Sequence, residues 1–239
     1  VKVALVTGAN KGLGLETARQ LGGQGYAVLI GARDQHRGEA AARTLRETGI
    51  DARFIKVDLN DAATFVTARE TIERDFGRLD VLVNNAGVLD EHGRSAIDVP
   101  IESLRATFEV NFLRQVELTQ TLLPLLRSAE AGRIVNVSSI LGSLTMNNDP
   151  KAITNDWRLL GYNASKAALN MFTVHLAHLL SDTGIKVNSA HPGWVKTDLG
   201  GEQAPLDVEE GAKTMVELAT LGPEGPTGGF FHLGRSLPW

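Results

Sequence analysis

Seven short runs rich in branched aliphatic residues recur along 239 residues: KVALV (2–6), AVLIG (27–31), ARFIKV (52–57), LDVLVN (79–84), RIVNVS (133–138), IKVNSAH (185–191) and GGFFHL (228–233). Longer amphipathic stretches separate them, near 13–23, 37–48, 62–76, 101–127, 162–181 and 207–220. Several runs are apolar on both faces, as parallel strands are when helices cover each side of a sheet. The alternation predicts an α/β fold: one doubly wound parallel sheet of about seven strands with helices on both faces. A hydrophobic content of 43% is enough for one full core, so residues 1–239 read as a single domain.

Between the first run and the first amphipathic stretch lies TGANKGLG, residues 7–14. Gly8, Gly12 and Gly14 give a turn in which bare backbone can approach a pyrophosphate, at a helix N-terminus with unpaired N–H groups and a positive dipole end. The spacing G-x-x-x-G-x-G departs from the commonest dinucleotide fingerprint. Its place, after a first strand and before a helix, is the expected one.

Other classes of function are excluded by what the chain lacks. No apolar run approaches the roughly 20 residues of a membrane span, and the start VKVALVTG reads as a strand rather than a signal peptide. Zero cysteines remove disulfides, thiolate catalysis and thiolate metal ligands, and fit a cytoplasmic protein. The net charge of -4 is mild and the basic residues are scattered, so no nucleic-acid surface is expected. His36, His92, His175, His178, His191 and His232 form no convincing metal set.

Seven motifs in order carry a resemblance: TGANKGLG, Asp58 in VDLND, NNAG at 84–87, Asn111 in EVNF, Ser139 in IVNVSS, YNASK at 162–166 and HPGWVKTD at 191–198. Together they resemble the short-chain dehydrogenase/reductase family over nearly the whole chain, most closely its NADPH-dependent carbonyl reductases. The resemblance implies a Rossmann-type fold and a hydride transfer between NADP(H) and a small-molecule carbonyl or alcohol, without a metal. Two alternatives stay open: a nonenzymatic NADP-binding sensor or scaffold, and an epimerase or dehydratase using the same Tyr-Lys pair.

Tyr162 and Lys166 stand four apart on a predicted helix and so share a face. A phenol titrates near 10, and an adjacent ammonium favours its ionised form, so Lys166 is expected to tune Tyr162. By resemblance, Tyr162 protonates the carbonyl oxygen and Lys166 also holds the nicotinamide ribose. Ser139, at the C-terminal edge of a predicted strand, is positioned to donate to the substrate oxygen, with Ser138 the competing assignment. Asn111 is a mediocre helix former in a helical stretch, and by resemblance it holds a water that relays protons toward Lys166.

The same resemblance implies cofactor contacts from Gly8, Asn10, Lys11, Gly12, Leu13 and Gly14, from Arg33, from Asp58 and Leu59, and from Asn85, Ala86 and Gly87. It adds Tyr162 and Lys166, then Pro192, Gly193, Val195 and Thr197 at the nicotinamide end. Cofactor choice turns on IGARDQHR, where Ala32 occupies the place of the acid that binds the ribose in NAD enzymes. Arg33 follows, and Lys11 is expected to converge with it on a 2′-phosphate. A one-residue shift in alignment would instead make Asp34 the ribose ligand.

Substrate contacts are expected from Ser139, Leu141, Tyr162 and Trp194, with Met146 and Trp157 adding to an apolar pocket. The stretch between Ser139 and Tyr162 is longer than the family's usual dozen or so positions, which reads as a loop insertion about 141–160. Its turn formers predict a loop with a short helical turn. That segment is expected to cover the pocket and to favour a monomer over a homo-oligomer.

Overall fold

The structure is a computed structural model that describes residues 1–90 and 95–239, so His92 lies outside the described residues. The first half runs β1 (Val3–Thr7), α1 (Gly12–Gly23), β2 (Ala27–Ala32), α2 (Gln35–Glu47), β3 (Ala52–Lys56), α3 (Ala63–Phe76) and β4 (Val81–Asn84). The second runs α4 (Ile101–Phe108), a π-helical turn (Glu109–Leu113), α5 (Arg114–Arg127) and β5 (Arg133–Val137). After two 3₁₀ turns (Ile140–Gly142 and Ile153–Asp156) with α6 (Leu144–Asn148) between them come α7 (Leu160–Leu179), β6 (Lys186–Ala190), α8 (Val208–Ala219), β7 (Phe230–His232) and β8 (Arg235–Ser236).

These strands form one sheet in the order β3-β2-β1-β4-β5-β6-β7-β8, parallel through β7. The chain walks outward from β1 to β3, then returns to place β4 on the other side of β1, which opens a crevice beyond the carboxyl ends of the strands. Strand alternation sends side chains into two cores. Val6 and Val83 join Leu21, Leu45 and Met215 on the face covered by α1, α2 and α8. Leu5 and Leu82 join Phe65, Ile72, Leu122 and Leu176 on the face covered by α3, α5 and α7. Burial on both faces is why these strands read as continuous apolar runs.

Three features depart from the sequence reading. An eighth strand, β8, pairs antiparallel with β7 through a two-residue hairpin turn at Leu233 and Gly234, both at positive φ (45° and 73°). Leucine is an unusual residue for that conformation, and β8 has only two residues, so the sequence carries no hairpin signal. The helix expected over 101–127 is broken by the π turn, which contains the buried Asn111. The 140–159 segment holds two 3₁₀ turns and a five-residue helix, more ordered than a loop with one helical turn.

Polar bonds set where α7 lies on the sheet. Asn136 of β5 donates from Nδ2 to Thr173 Oγ1 at 2.8 Å, and Thr173 Oγ1 lies 2.8 Å from Ser189 Oγ of β6. Asn84 of β4 donates in turn to Asn136 Oδ1 at 2.9 Å. Thr173, Asn136 and Ser189 are fully buried, so the Asn136 amide depends on the Thr173 hydroxyl, which also reaches Leu169 O at 3.1 Å. Thr173→Val keeps the volume and strands the Asn136 amide; we expect a loss of about 1–3 kcal/mol, read as a lower urea midpoint at unchanged m value.

Candidate active site

Lys166 and Tyr162 precede Thr173 by two and three turns of α7, and both are buried (3% and 8% exposed). Lys166 Nζ donates to Val137 O at 2.8 Å, at the carboxyl end of β5, and sits 5.7 Å from the centroid of the Tyr162 ring. The Tyr162 side chain is hydrogen-bonded to Ser139, whose Oγ also accepts from Leu141 N at 3.1 Å as the cap of the first 3₁₀ turn. Ser138 points elsewhere, toward Lys166 O at 3.5 Å. Ser139 lies two residues past the last residue of β5 rather than on the strand. Gly142 is what lets this turn approach: a Cβ there would stand 2.8 Å from the Lys166 backbone carbon.

Burial dominates the titration of the pair. It pushes the Tyr162 phenol up to about 12, against a lowering hydrogen bond from Ser139, and pushes Lys166 down to about 8. In this buried site each group is held toward its neutral form, and the hydrogen bond from Ser139 lowers Tyr162 only in part against that burial.

Asn111 reaches the same place from the π turn. Its Oδ1 accepts from Val88 N at 2.8 Å, and its Nδ2 donates to Val88 O at 2.9 Å and Ser165 Oγ at 3.2 Å. Gly87 lies between Asn111 and Lys166: a Cβ there would be 3.3 Å from Asn111 Oδ1 and 3.6 Å from Lys166 Nζ. The bare glycine keeps that gap open.

The glycine turn fits a dinucleotide cradle. Gly8 and Gly12 take φ of +64° and +55°, and a Cβ on Gly14 would come within 2.5 Å of Asn85 Nδ2 and 2.6 Å of Gly8 O. No side chain caps the N-terminus of α1, whose N-cap residue is Lys11, so its leading N–H groups face outward for an anion. Thr7 Oγ1 accepts from Asn85 N at 2.9 Å and Ala86 N at 3.0 Å, tying NNAG to the turn. Asn10 is half-buried in the turn, and Asp58 is engaged by Asn60 N at 2.9 Å. The side chains of Leu59 and Val195 are buried in packing, and that of Leu13 is half-buried against the core. Gly193 takes φ +89° behind Pro192, and Thr197 Oγ1 accepts from Gly200 N at 3.1 Å.

At the adenosine end, Lys11 is ion-paired with Asp198 across the surface. Arg33 is exposed and has no ion pair among the described residues. Arg37, in the first turn of α2, was missed by sequence reasoning, though its spacing from Arg33 was a signal; it contributes to the field that lowers the Asp198 pKa, after Lys11. Asp34 is spoken for: Oδ1 caps α2 by accepting from Arg37 N at 2.8 Å. A carboxylate aimed at its own helix leaves the arginines as the charge this corner presents.

Over the crevice, Trp157 and Trp194 meet edge to face, 5.6 Å between centroids at 66°, each 40% exposed. Trp194 Nε1 donates to Gly200 O at 2.7 Å, and Trp157 O accepts from Asn163 Nδ2 at 3.0 Å, one residue past Tyr162. Leu141 and Met146 are half-buried nearby in sequence. Among the described residues no three His, Asp or Glu side chains could hold a metal, and no helix is long and apolar enough to cross a membrane.

Comparison with known proteins agrees with this arrangement. The short chain dehydrogenase family model matches residues 2–206. A short-chain dehydrogenase of Penicillium roqueforti, anuI, is 38% identical, covering 92% of this chain and 89% of that protein. Human carbonyl reductase [NADPH] 1 is 33% identical over 100% of this chain and 99% of its own. Among solved structures, the NADPH-bound carbonyl reductase from chicken fatty liver superposes with a TM-score of 0.87 at 26% identity, covering 100% of this chain and 98% of that one.

The burial of Lys166 has a measurable cost. A free lysine titrates near 10.4 and the folded one near 8, so the folded chain binds fewer protons in that window and stability rises with pH across it. Below about 8 the cost is fully present. Lys166→Met is expected to stabilise the fold by up to about 3 kcal/mol at pH 7, with the gain shrinking by pH 10, read by denaturant titration at both values.

Proposed function

Because the chain belongs to the short-chain dehydrogenase family, we propose that it is an NADP(H)-dependent oxidoreductase that reduces the carbonyl group of aldehydes or ketones to an alcohol. The observation that carries this reading is the Ser139–Tyr162 hydrogen bond, buried at the strand ends with Lys166 one turn along the same helix. When bound, the nicotinamide supplies the hydride, which no side chain can.

Our reading assigns the other steps to this chain. Ser139 and Tyr162 converge on one oxygen, and both hydroxyls donate to it as its negative charge grows. Tyr162, held protonated by burial, gives up its proton to that oxygen, so the carbonyl carbon gains a hydride and the oxygen a proton. The phenolate left behind is stabilised by the Lys166 ammonium, and Lys166, near 8, is poised to return the proton. Asn111 is proposed to hold a water in the gap kept open by Gly87, linking Lys166 to solvent.

The cradle at Gly8, Gly12 and Gly14 would take the pyrophosphate and the NNAG backbone the adenosine. Arg33 and Arg37 would take the 2′-phosphate, with Lys11 joining once released from Asp198. The tryptophan pair, with Leu141, gives an apolar wall for the substrate. Freedom from cysteine supports a cytoplasmic setting.

Tyr162→Phe should keep the fold and NADPH affinity and lower carbonyl turnover by about 10²- to 10⁴-fold, followed as NADPH absorbance. Wild-type turnover in the variant would remove the phenol from the reaction. Replacing Arg33 and Arg37 together by alanine should weaken NADPH by about tenfold or more while leaving NADH nearly unchanged, measured by fluorescence titration. Equal losses for both cofactors would place the selectivity elsewhere.

A further inference from the structure

The last residues of the chain are bonded to the segment that flanks the crevice. After β8 the backbone turns back, with Leu237 N donating to Phe230 O at 2.8 Å. The Trp239 ring then stacks on Phe230 at 5.6 Å and 13°, and the Trp239 carbonyl accepts from Thr145 N at 2.9 Å. Phe230 is buried to 1% exposure, whereas Trp239, lying over it, remains 37% exposed.

Thr145 is the second residue of α6, where backbone N–H groups have no partner within the helix. Ser143 Oγ takes the Met146 N–H at 3.1 Å, and Trp239 takes that of Thr145. From α6 the bonds continue to the site: Met146 O accepts from Thr154 Oγ1 at 2.9 Å, and Asn147 Oδ1 from Asn163 Nδ2 at 3.2 Å. Asn163 also holds Trp157 O and is the neighbour of Tyr162. A five-residue helix is too short to persist on its own propensity, so α6 stands where these outside partners put it.

We propose that Trp239 is a positioning residue for substrate specificity: stacked on Phe230, it braces α6 and thereby sets the pocket wall formed by the 140–159 segment. The inference rests on the reading of that segment as a substrate wall. The Trp239 ring meets Phe230 and its backbone oxygen meets Thr145, so the brace acts through the shape of the pocket rather than on the reacting groups.

Three variants test it: Trp239→Ala, Trp239→Phe, and a chain shortened to Pro238. Hydrogen–deuterium exchange on the purified proteins should quicken over 144–156 in the alanine and shortened forms, while β1 to β5 exchange as in the wild type. With a small aldehyde such as propanal, KM and kcat should hold; with a bulky diaryl ketone, KM should rise about fivefold, with NADPH affinity unchanged. Trp239→Phe, which keeps a stacking ring, should restore both. Unaltered exchange over 144–156, or equal shifts in KM for small and bulky substrates, would overturn the proposal. If the wild type reduces no carbonyl compound at all, the oxidoreductase reading fails, while the exchange experiment still decides whether Trp239 braces α6.

Discussion

Two turns beyond Lys166, Thr173 accepts from the Asn136 amide and meets the Ser189 hydroxyl, and α7 can occupy only one register against β5 and β6 while those bonds hold. The rest of the site is downstream of that register. It delivers Lys166 Nζ to the last carbonyl of β5 and brings Tyr162 beside Ser139, just past the same strand. Gly142 completes the fit, because any side chain there would push the Ser139 turn off the helix. A polar tie inside the sheet–helix interface thus does what apolar packing alone does poorly, which is to distinguish one register from its neighbours.

The energetic tension in the site is between solvation and proximity. Burial raises the phenol and lowers the amine, and both shifts oppose the ion pair that a reaction would create. A site already dry and already hydrogen-bonded has little left to reorganise when charge appears on the reacting oxygen. The stability spent in burying a lysine is consistent with the general observation that functional groups are often held in environments their charged forms dislike.

Strands covered on both faces left the plainest mark on the sequence: all seven runs became strands, and β1, β2, β4 and β5 are buried along their whole length. The site was legible where chemistry demands a residue type at a fixed offset, as in Tyr162 with Lys166 or the glycines at 8, 12 and 14. Features that depend on a partner distant in sequence were not. Lys11 turns to Asp198, 187 residues away, and the π turn at Asn111 follows from its bonds to Val88 and Ser165. Asp34, a ribose ligand only under a one-residue shift in alignment, is a helix cap by its geometry. The eighth strand rests on a Leu-Gly turn with positive φ at a leucine whose amide is held by Thr214 Oγ1 at 2.9 Å.

That eighth strand also settles how the sheet ends. A parallel sheet grown outward in one direction presents, at its last strand, a row of unpaired backbone groups on which a strand from another molecule could add. Here the last parallel strand, β7, is met by two antiparallel residues, one of them Arg235, and the opposite border strand, β3, carries exposed Arg53 and Lys56. Both borders end in charge, and one of them ends in a reversal of direction after two residues. Charge on both borders and an edge strand only two residues long make each edge a poor template for a strand from another molecule, which is how an open sheet stays separate in a crowded solution.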